Sequence, residues 1–140
     1  MIKNISVSNF KCFDRLSVEC SSLNLFTGVN GMGKSTLLQT LLLMRQTYEK
    51  KAASEGRKLK LNGHYVSLGM MKDILNWDRE SDILKIKVEE DESLLEFIYD
   101  ENGERINSIR NEDFKNMKFL SGKFEYIPAE RLGPRRFYDT

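Results

Sequence analysis

The sequence predicts an α/β fold in which a strand leads through a glycine-rich loop into a helix, accompanied by an antiparallel β-subdomain. The stretch FTGVNGMGKSTLL, residues 26–38, joins a short apolar segment to a helical pattern. Apolar and charged residues alternate near the N-terminus and again from residue 82, as in half-buried strands. Asn102-Gly103 is a pair that two-residue hairpin turns favour. A length of 140 residues suits one domain with one core.

Three short strands are predicted before the glycine-rich loop. The first covers residues 2–10, and the second covers residues 14–20, in which apolar and polar side chains alternate. The segment FKCFD between them is interpreted as a turn. SLNLFTG, residues 22–28, predicts the third strand, so the loop begins where an apolar strand ends.

A helix is predicted from residue 34 to about residue 50. Its apolar side chains recur with a period near 3.6, at Leu37, Leu38, Leu41, Leu42, Met44 and Tyr48. Leu43 lies off this stripe, so we expect the helix to be covered on more than one side. Residues 50–63 are polar and basic with two glycines, which indicates a surface loop.

The antiparallel β-subdomain is predicted over roughly residues 82–110. Apolar residues alternate with charged ones from residue 84, EDES turns the chain, and LLEFIYD returns it. Asn102-Gly103 then leads into ERINSIR as a third strand. HYVSLGMMKDILNWD indicates a short strand and a short helix, and FEYIPA, residues 124–129, is predicted as the last strand.

Residues 28–36 contain the motif G-x-x-x-x-G-K-[ST], whose backbone N–H groups cradle phosphate at the start of a helix. Lys34 is expected to reach the β- and γ-phosphates and is the candidate catalytic residue. The Ser35 hydroxyl is the candidate Mg²⁺ ligand, and Thr36 is expected near the α-phosphate. ATP and Mg²⁺ are therefore the predicted ligand and cofactor. The candidate nucleotide-binding residues of the loop are Asn30, Gly31, Met32, Gly33, Lys34, Ser35 and Thr36.

Composition excludes several other classes of protein. The net charge is +1, so no global field points to nucleic acid or membrane. Cys12, Cys20 and the lone His64 cannot by themselves make a four-ligand zinc site. The first ten residues lack the apolar block of a signal peptide, and no stretch approaches the roughly 20 apolar residues of a spanning helix. We expect a cytoplasmic protein with no membrane partner.

Residues 5–46 and two later segments resemble a known family. A strand, the turn Asn9-Phe10-Lys11-Cys12-Phe13, a second strand and the loop of residues 28–38 resemble the N-terminus of SMC/RecF-like ATP-binding-cassette ATPases. YIPAERLGPRR and, more weakly, LGMMKDIL resemble segments of AAA-type ATPases in that branch, related to OLD and anti-phage-defence ATPases. The resemblance implies a P-loop core with an antiparallel β-subdomain.

The resemblance places the turn after the first strand beside the nucleotide. Lys11 is therefore a further candidate phosphate ligand, with a solvated turn residue as the alternative. Phe10 or Phe13 is expected to shape the wall of the site, unless both belong to the core.

The sequence also departs from the family pattern. Residues 60–140 contain no signature loop resembling L-S-G-G-Q, no second acidic motif is recognised, and Gln39 and Gln46 lie in the wrong place for the glutamine lid. We therefore expect residues 1–140 to be the N-terminal part of an AAA ATPase domain whose C-terminal half lies elsewhere. By resemblance, the complete form is an ATPase that hydrolyses ATP as a homodimer and drives a DNA-related effector such as a nuclease, whereas this piece alone is not expected to hydrolyse ATP.

The acidic segment at residues 97–101 and the basic segments each have two interpretations. FIYDE, residues 97–101, resembles an acidic strand end with a catalytic base, but Glu96 and the hairpin pair favour a turn. The basic residues between 45 and 60 and the Arg-rich tail are candidate phosphate contacts for DNA, or solvated surface.

The alternatives to an ATPase are a small nucleotide or metabolite kinase and a non-catalytic nucleotide-binding signalling module.

Overall fold

The computed structural model describes residues 1–28, 33–49 and 58–127, with the backbone alone at Asn111. Its centre is a four-stranded antiparallel sheet in the order β2-β1-β3-β4. The strands are β1 (Ile2–Phe10), β2 (Phe13–Glu19), β3 (Leu84–Glu90) and β4 (Ser93–Tyr99). The helices are α1 (Lys34–Tyr48), α2 (Met71–Ile74), α3 (Asn111–Asn116) and α4 (Lys118–Ser121). The predicted α/β class with an antiparallel sheet is confirmed at this level.

The sheet forms because two segments distant in sequence have matching alternation. β1 lies between β2 and β3, pairing Ile5 with Val18 on one side and with Val88 on the other. Along β3 every second side chain is buried, so its apolar residues face the core while its lysines face solvent. The antiparallel sheet therefore extends beyond the predicted segment of residues 82–110, because β1 and β2 belong to it.

The ends of β1 and β3 are joined by a charge contact. The Met1 ammonium donates a hydrogen bond of 2.7 Å to Asp91 Oδ1, in the turn between β3 and β4. This bond holds the pKa of the Asp91 carboxyl below its ordinary value. The contact is exposed, so its contribution to stability is small.

Helix α1 supplies much of the core that covers the sheet. Leu43 and Met44 are fully buried, as are Phe97 and Tyr99 of β4. The predicted apolar stripe was wrong at Leu38, which is 46% exposed. The expectation that α1 is covered on more than one side is confirmed, because Leu43 is fully buried and every side chain from Leu42 to Tyr48 is buried, even the polar ones.

A tyrosine pair lies where α1 meets β4. The Tyr48 and Tyr99 hydroxyls are 2.7 Å apart, and Arg105 Nη1 donates to the Tyr48 hydroxyl at 3.3 Å. Burial raises the pKa of Tyr48, and it raises the pKa of Tyr99 well above the ordinary value, because each phenolate would lie in an apolar interior. Both tyrosine hydroxyls have hydrogen-bond partners, so the pair is stable in the neutral form.

The third strand predicted before the loop, over residues 22–28, does not form. Residues 21–28 are exposed, with Leu23 and Leu25 at 86% and 85% of their maximum. Asn24 accepts a hydrogen bond from the Ser21 amide and donates to the Ser21 carbonyl, each at 2.9 Å. This local turn binds backbone groups that a strand would pair with a neighbour, which explains the error.

Three further strand predictions were wrong in part. The turn at residues 100–104 forms, with Gly103 at φ 76°, but ERINSIR contributes no named strand among the described residues, only isolated bridges from Arg105 to Tyr99 and from Glu104 to Lys58. HYVS contributes only the bridge between Asn62 and Ser67, although the short helix after it is present as α2. Residues 124–127 form no strand, and residues 128 and 129 lie outside the described residues. Beside β4, the Asn107 side chain accepts from the Ile98 amide and donates to the Glu96 carbonyl, so a side chain occupies backbone groups that a longer third strand would pair.

Candidate functional site

Gly33 marks the point where the glycine-rich loop becomes α1. Its φ is 89°, a left-handed conformation that glycine adopts without strain. A Cβ at this position would lie 2.5 Å from Phe13 Cζ and 2.9 Å from Cys12 Sγ. The turn between β1 and β2 therefore packs directly against the last glycine of the motif, and no larger residue fits there.

The first turn of α1 presents the three motif residues that follow Gly33. Lys34 and Thr36 are half-buried, and Ser35 is exposed. The Lys34 ammonium donates a hydrogen bond to the carbonyl of Gly28, the first glycine of the motif. The first N–H groups of a helix have no intrahelical partners. Among the described residues, no side chain caps them and the first turn of α1 carries no acidic residue. Asn30, Gly31 and Met32 lie outside the described residues.

Lys11 lies close to the same end of α1. Its Nζ donates a hydrogen bond of 2.6 Å to Gln39 Oε1. Gln39 follows Ser35 by four residues, so the two side chains share one face of the helix. The structure thus brings Lys11 to the helix that begins with the motif. No role for Gln39 could be predicted from the sequence, because its contact with Lys11 depends on how the turn folds back onto α1.

The two phenylalanines of the turn have different environments. Phe10 is fully buried and belongs to the core, in agreement with the alternative that the sequence left open. Phe13 is half-buried, packs at the edge of the core and touches the space over Gly33. Phe13, rather than Phe10, is therefore the aromatic side chain next to the loop.

The turn that carries Lys11 is braced by the segment after α2. The Lys11 amide donates to the Ile74 carbonyl at 2.7 Å, and Asn76 Nδ2 donates to the Lys11 carbonyl at 2.7 Å. The Asn76 amide donates to Asn9 Oδ1 at 3.1 Å. Residues 74–76 fall at the end of the segment LGMMKDIL and just after it. Nothing in the sequence alone places them against the turn, since the contact spans 65 positions.

The acidic pair at the end of β4 is a turn and not a catalytic strand end. Asp100 Oδ1 accepts hydrogen bonds from the Asn102 and Glu104 amides, both at 2.9 Å. Glu101 is exposed in that turn. The geometry matches a side-chain-capped turn, as the hairpin interpretation of Asn102-Gly103 predicts.

Arg45 was predicted wrongly as a solvent-facing basic residue. Its side chain is only 7% exposed, and its guanidinium donates to the Phe119 and Gly122 carbonyls, each at 2.8 Å. It therefore connects α1 to α4 and cannot contact DNA without unfolding that contact. Lys58 and Lys60 are exposed, whereas Lys50, Lys51 and Arg57 and the tail from residue 128 lie outside the described residues.

The residues present fit a nucleoside triphosphate better than a metal ion alone. No group of three or more histidine, cysteine, aspartate or glutamate side chains that would hold a metal occurs in the described residues. Mg²⁺ is bound in many proteins by one or two side chains together with substrate phosphates, so a single exposed Ser35 hydroxyl suits a metal that arrives with phosphate. Two ammonium groups, together with a helix N-terminus that no described side chain caps, supply positive potential for those phosphates.

No helix of the described part is both long and apolar enough to cross a membrane.

Comparisons with known proteins identify the family. A family model described as an AAA ATPase domain matches residues 1–132, which is most of the chain. A comparison with curated proteins gives no match. Because the match includes both the β1–β2 turn and the start of α1, it covers the candidate site described above. The chain belongs to the family of the AAA ATPase domain.

Proposed function

We propose that this chain is the ATP-binding lobe of an AAA ATPase of the SMC/RecF-like branch. The observation that carries the proposal is the close packing of the β1–β2 turn on Gly33, which brings Lys11 to the helix that begins with Lys34. A family match to an AAA ATPase domain supports nucleotide binding in general. The SMC/RecF-like assignment rests on the resemblance of residues 5–46, with weaker support from the segments YIPAERLGPRR and LGMMKDIL.

Each residue of the proposed site has a distinct task. The amides of the loop and of the first turn of α1 would hold the phosphate oxygens. Lys34 would leave the Gly28 carbonyl for the β- and γ-phosphates, and Lys11 would add a second positive charge. Ser35 would ligate a Mg²⁺ ion that neutralises phosphate charge. Asn30, Gly31 and Met32 complete the proposed loop.

Hydrolysis requires groups that the described site does not contain. A positioned water or base and a signature loop supply most of the transition-state stabilisation in phosphoryl transfer. We propose that the complete protein supplies both from its C-terminal half and its homodimer partner. The proposed output is a DNA-related activity in anti-phage defence or repair, through a nuclease or DNA contact.

The first experiment measures binding of ATP with Mg²⁺ to the chain by calorimetry. Lys34→Ala is expected to weaken binding by about 10- to 100-fold, because hydrogen bonds to charged groups contribute roughly 1.5–3 kcal/mol. Lys60→Ala is the matched control, since Lys60 is an exposed lysine away from the site, and it is expected to leave affinity unchanged. Equal affinities for the Lys34→Ala variant and the unsubstituted chain would refute the proposed function.

A second measurement separates the classes of activity. The complete protein is expected to release phosphate from ATP, and Lys34→Ala is expected to abolish this turnover. Transfer of phosphate to a small acceptor would indicate a kinase instead. Tight binding without turnover in the complete protein would indicate a non-catalytic signalling module.

A further inference from the structure

We propose that Asn76 is a positioning residue that fixes the backbone of Lys11 and thereby directs its ammonium group toward the bound nucleotide. The inference rests on the proposed function, because it assigns a task to Lys11 in ATP binding. It concerns a residue outside the glycine-rich motif and outside the β1–β2 turn. The contact lies between segments that are 65 positions apart in the chain.

The turn between β1 and β2 has an unusual backbone. Asn9 has φ 65° and Lys11 has φ 49°, so two non-glycine residues within three positions are left-handed. Such a conformation persists only where the surrounding structure fixes it, and it concentrates at functional sites. The left-handed bend turns the chain back, so that the Lys11 side chain reaches Gln39 on α1.

Hydrogen bonds from one short segment fix this bend. The Lys11 amide donates to the Ile74 carbonyl, and the Lys11 carbonyl accepts from Asn76 Nδ2, both at 2.7 Å. Both backbone polar groups of Lys11 are thus held by residues 74–76. The Asn76 amide also donates to Asn9 Oδ1 at 3.1 Å, which holds the other left-handed residue.

The orientation of the Asn76 side chain is itself determined. Its Oδ1 accepts a hydrogen bond of 3.0 Å from the Asp78 amide, which directs the NH₂ group toward the Lys11 carbonyl. Asn9 is anchored in turn, because its Nδ2 donates to the Ser81 and Ile83 carbonyls at 2.8 and 2.9 Å. The segment between α2 and β3 therefore acts as a rigid support for the turn.

Loss of the Asn76 hydrogen bond is expected to reduce the affinity for the nucleotide more than the stability of the fold. Without the Asn76 bond, the Lys11 carbonyl can turn to solvent and the bend can relax, while β1 and β2 keep their ladder of hydrogen bonds. The Lys11 ammonium then samples a wider volume, and binding must restrict it at an entropic cost. A residue that acts through Lys11 loses its effect when Lys11 is absent.

The test is a double-mutant cycle on the 140-residue chain, with the affinity for ATP and Mg²⁺ measured by calorimetry and the melting temperature measured in parallel. Asn76→Ala is expected to weaken binding about fivefold when Lys11 is present and less than about twofold in the Lys11→Ala background. The control is Asn107→Ala. Asn107 likewise donates to a backbone carbonyl, of Glu96, at 2.7 Å and accepts from a backbone amide, of Ile98, at 3.1 Å.

A second substitution keeps the inference testable if Asn76→Ala unfolds the chain. Asn76→Ser retains a short acceptor for the Asp78 amide but does not reach the Lys11 carbonyl, and Asn107→Ser is its control. The same pattern of affinities is expected. Unchanged affinity in either folded Asn76 variant, or an equal loss with and without Lys11, would overturn the inference. If Lys34→Ala still weakens binding in that case, the proposed function stands; if Lys34→Ala is also without effect, the proposed function fails as well.

Discussion

Replacing Arg45 by methionine tests whether this side chain is a buried structural contact, as the structure has it, or a solvent-facing basic residue, as the sequence suggested. The basic residues between 45 and 60 were candidate contacts to DNA, and Arg45 is the first of them. In the structure its guanidinium lies 5.2 Å from the centre of the Phe124 ring and donates to two carbonyls beyond α3. Methionine retains the length and apolar stem of the side chain while it removes the charge and the donors.

The size of the effect follows from the bonds that are lost. The bonds to the Phe119 and Gly122 carbonyls, each 2.8 Å, contribute roughly 1.5–3 kcal/mol apiece because the donor is charged. The weak contact with Glu49 at 3.5 Å adds little. Arg45 Nε is buried without a partner among the described residues, and methionine removes that penalty. A net loss of about 3 kcal/mol remains, which at about 0.3 kcal/mol per kelvin for this length lowers the melting temperature by about 10 °C.

The assay is thermal unfolding followed by circular dichroism, with Arg110→Met as the matched control. Arg110 is 82% exposed and forms one ion pair with Asp113, so its replacement is expected to change the melting temperature by no more than about 3 °C. An unchanged melting temperature for Arg45→Met, together with weaker binding to DNA, would refute the buried contact and restore the surface interpretation.

Two other perturbations address the loop and the tyrosine pair. Gly33→Ala is expected to weaken ATP binding and to lower stability by at least about 1–2 kcal/mol, the cost of a left-handed non-glycine residue. The new Cβ would also lie 2.5 Å from Phe13 Cζ. Calorimetry and thermal unfolding that match the unsubstituted chain would contradict this prediction. Burial raises the pKa of Tyr99 and of Tyr48. Their contribution to the free energy of unfolding is therefore complete below about pH 10, the pKa of tyrosine in the unfolded chain, and is lost as the pH rises toward the folded pKa values. The loss amounts to at most about 1.4 kcal/mol per pH unit for each tyrosine. Urea unfolding between pH 8 and 11 is expected to show this slope, and a smaller one in Tyr99→Phe; a flat profile would argue against the buried pair.

Strands with regular alternation could be predicted from the sequence because the pattern is local. From Leu84 to Glu89 the buried and exposed side chains of β3 follow the sequence one by one, although Glu90 is buried, and the turn at Asp91 separates β3 from β4 as expected. The start of α1 at Lys34 follows from the glycine motif in the same way. In both cases, neighbours in the chain determine the structure.

The predictions failed where the structure depends on partners distant in sequence. Residues 22–28 have the composition of a strand, yet Leu23 is 86% exposed and the Asn24 side chain closes a turn instead. Arg45 looks like a surface residue in the sequence, and only the packing of α4 against α1 buries it. The support of Lys11 by Asn76 had no local signal, since hydrogen bonds of a turn to a distant asparagine leave no period in the sequence.

Helix α1 links the proposed nucleotide site to the rest of the domain through its polar side chains. Lys34 begins it, Gln39 binds Lys11 one turn further, and Arg45 binds the segment after α4. Gln46 accepts hydrogen bonds from the Tyr65 and Val66 amides, at 3.2 and 3.0 Å. Three segments that are distant in sequence are therefore anchored to side chains of one helix, so a substitution in α1 can change affinity without contacting the nucleotide. For this reason the role of any residue here is better decided by a double-mutant cycle with Lys11 or Lys34 than by the loss of binding in a single variant.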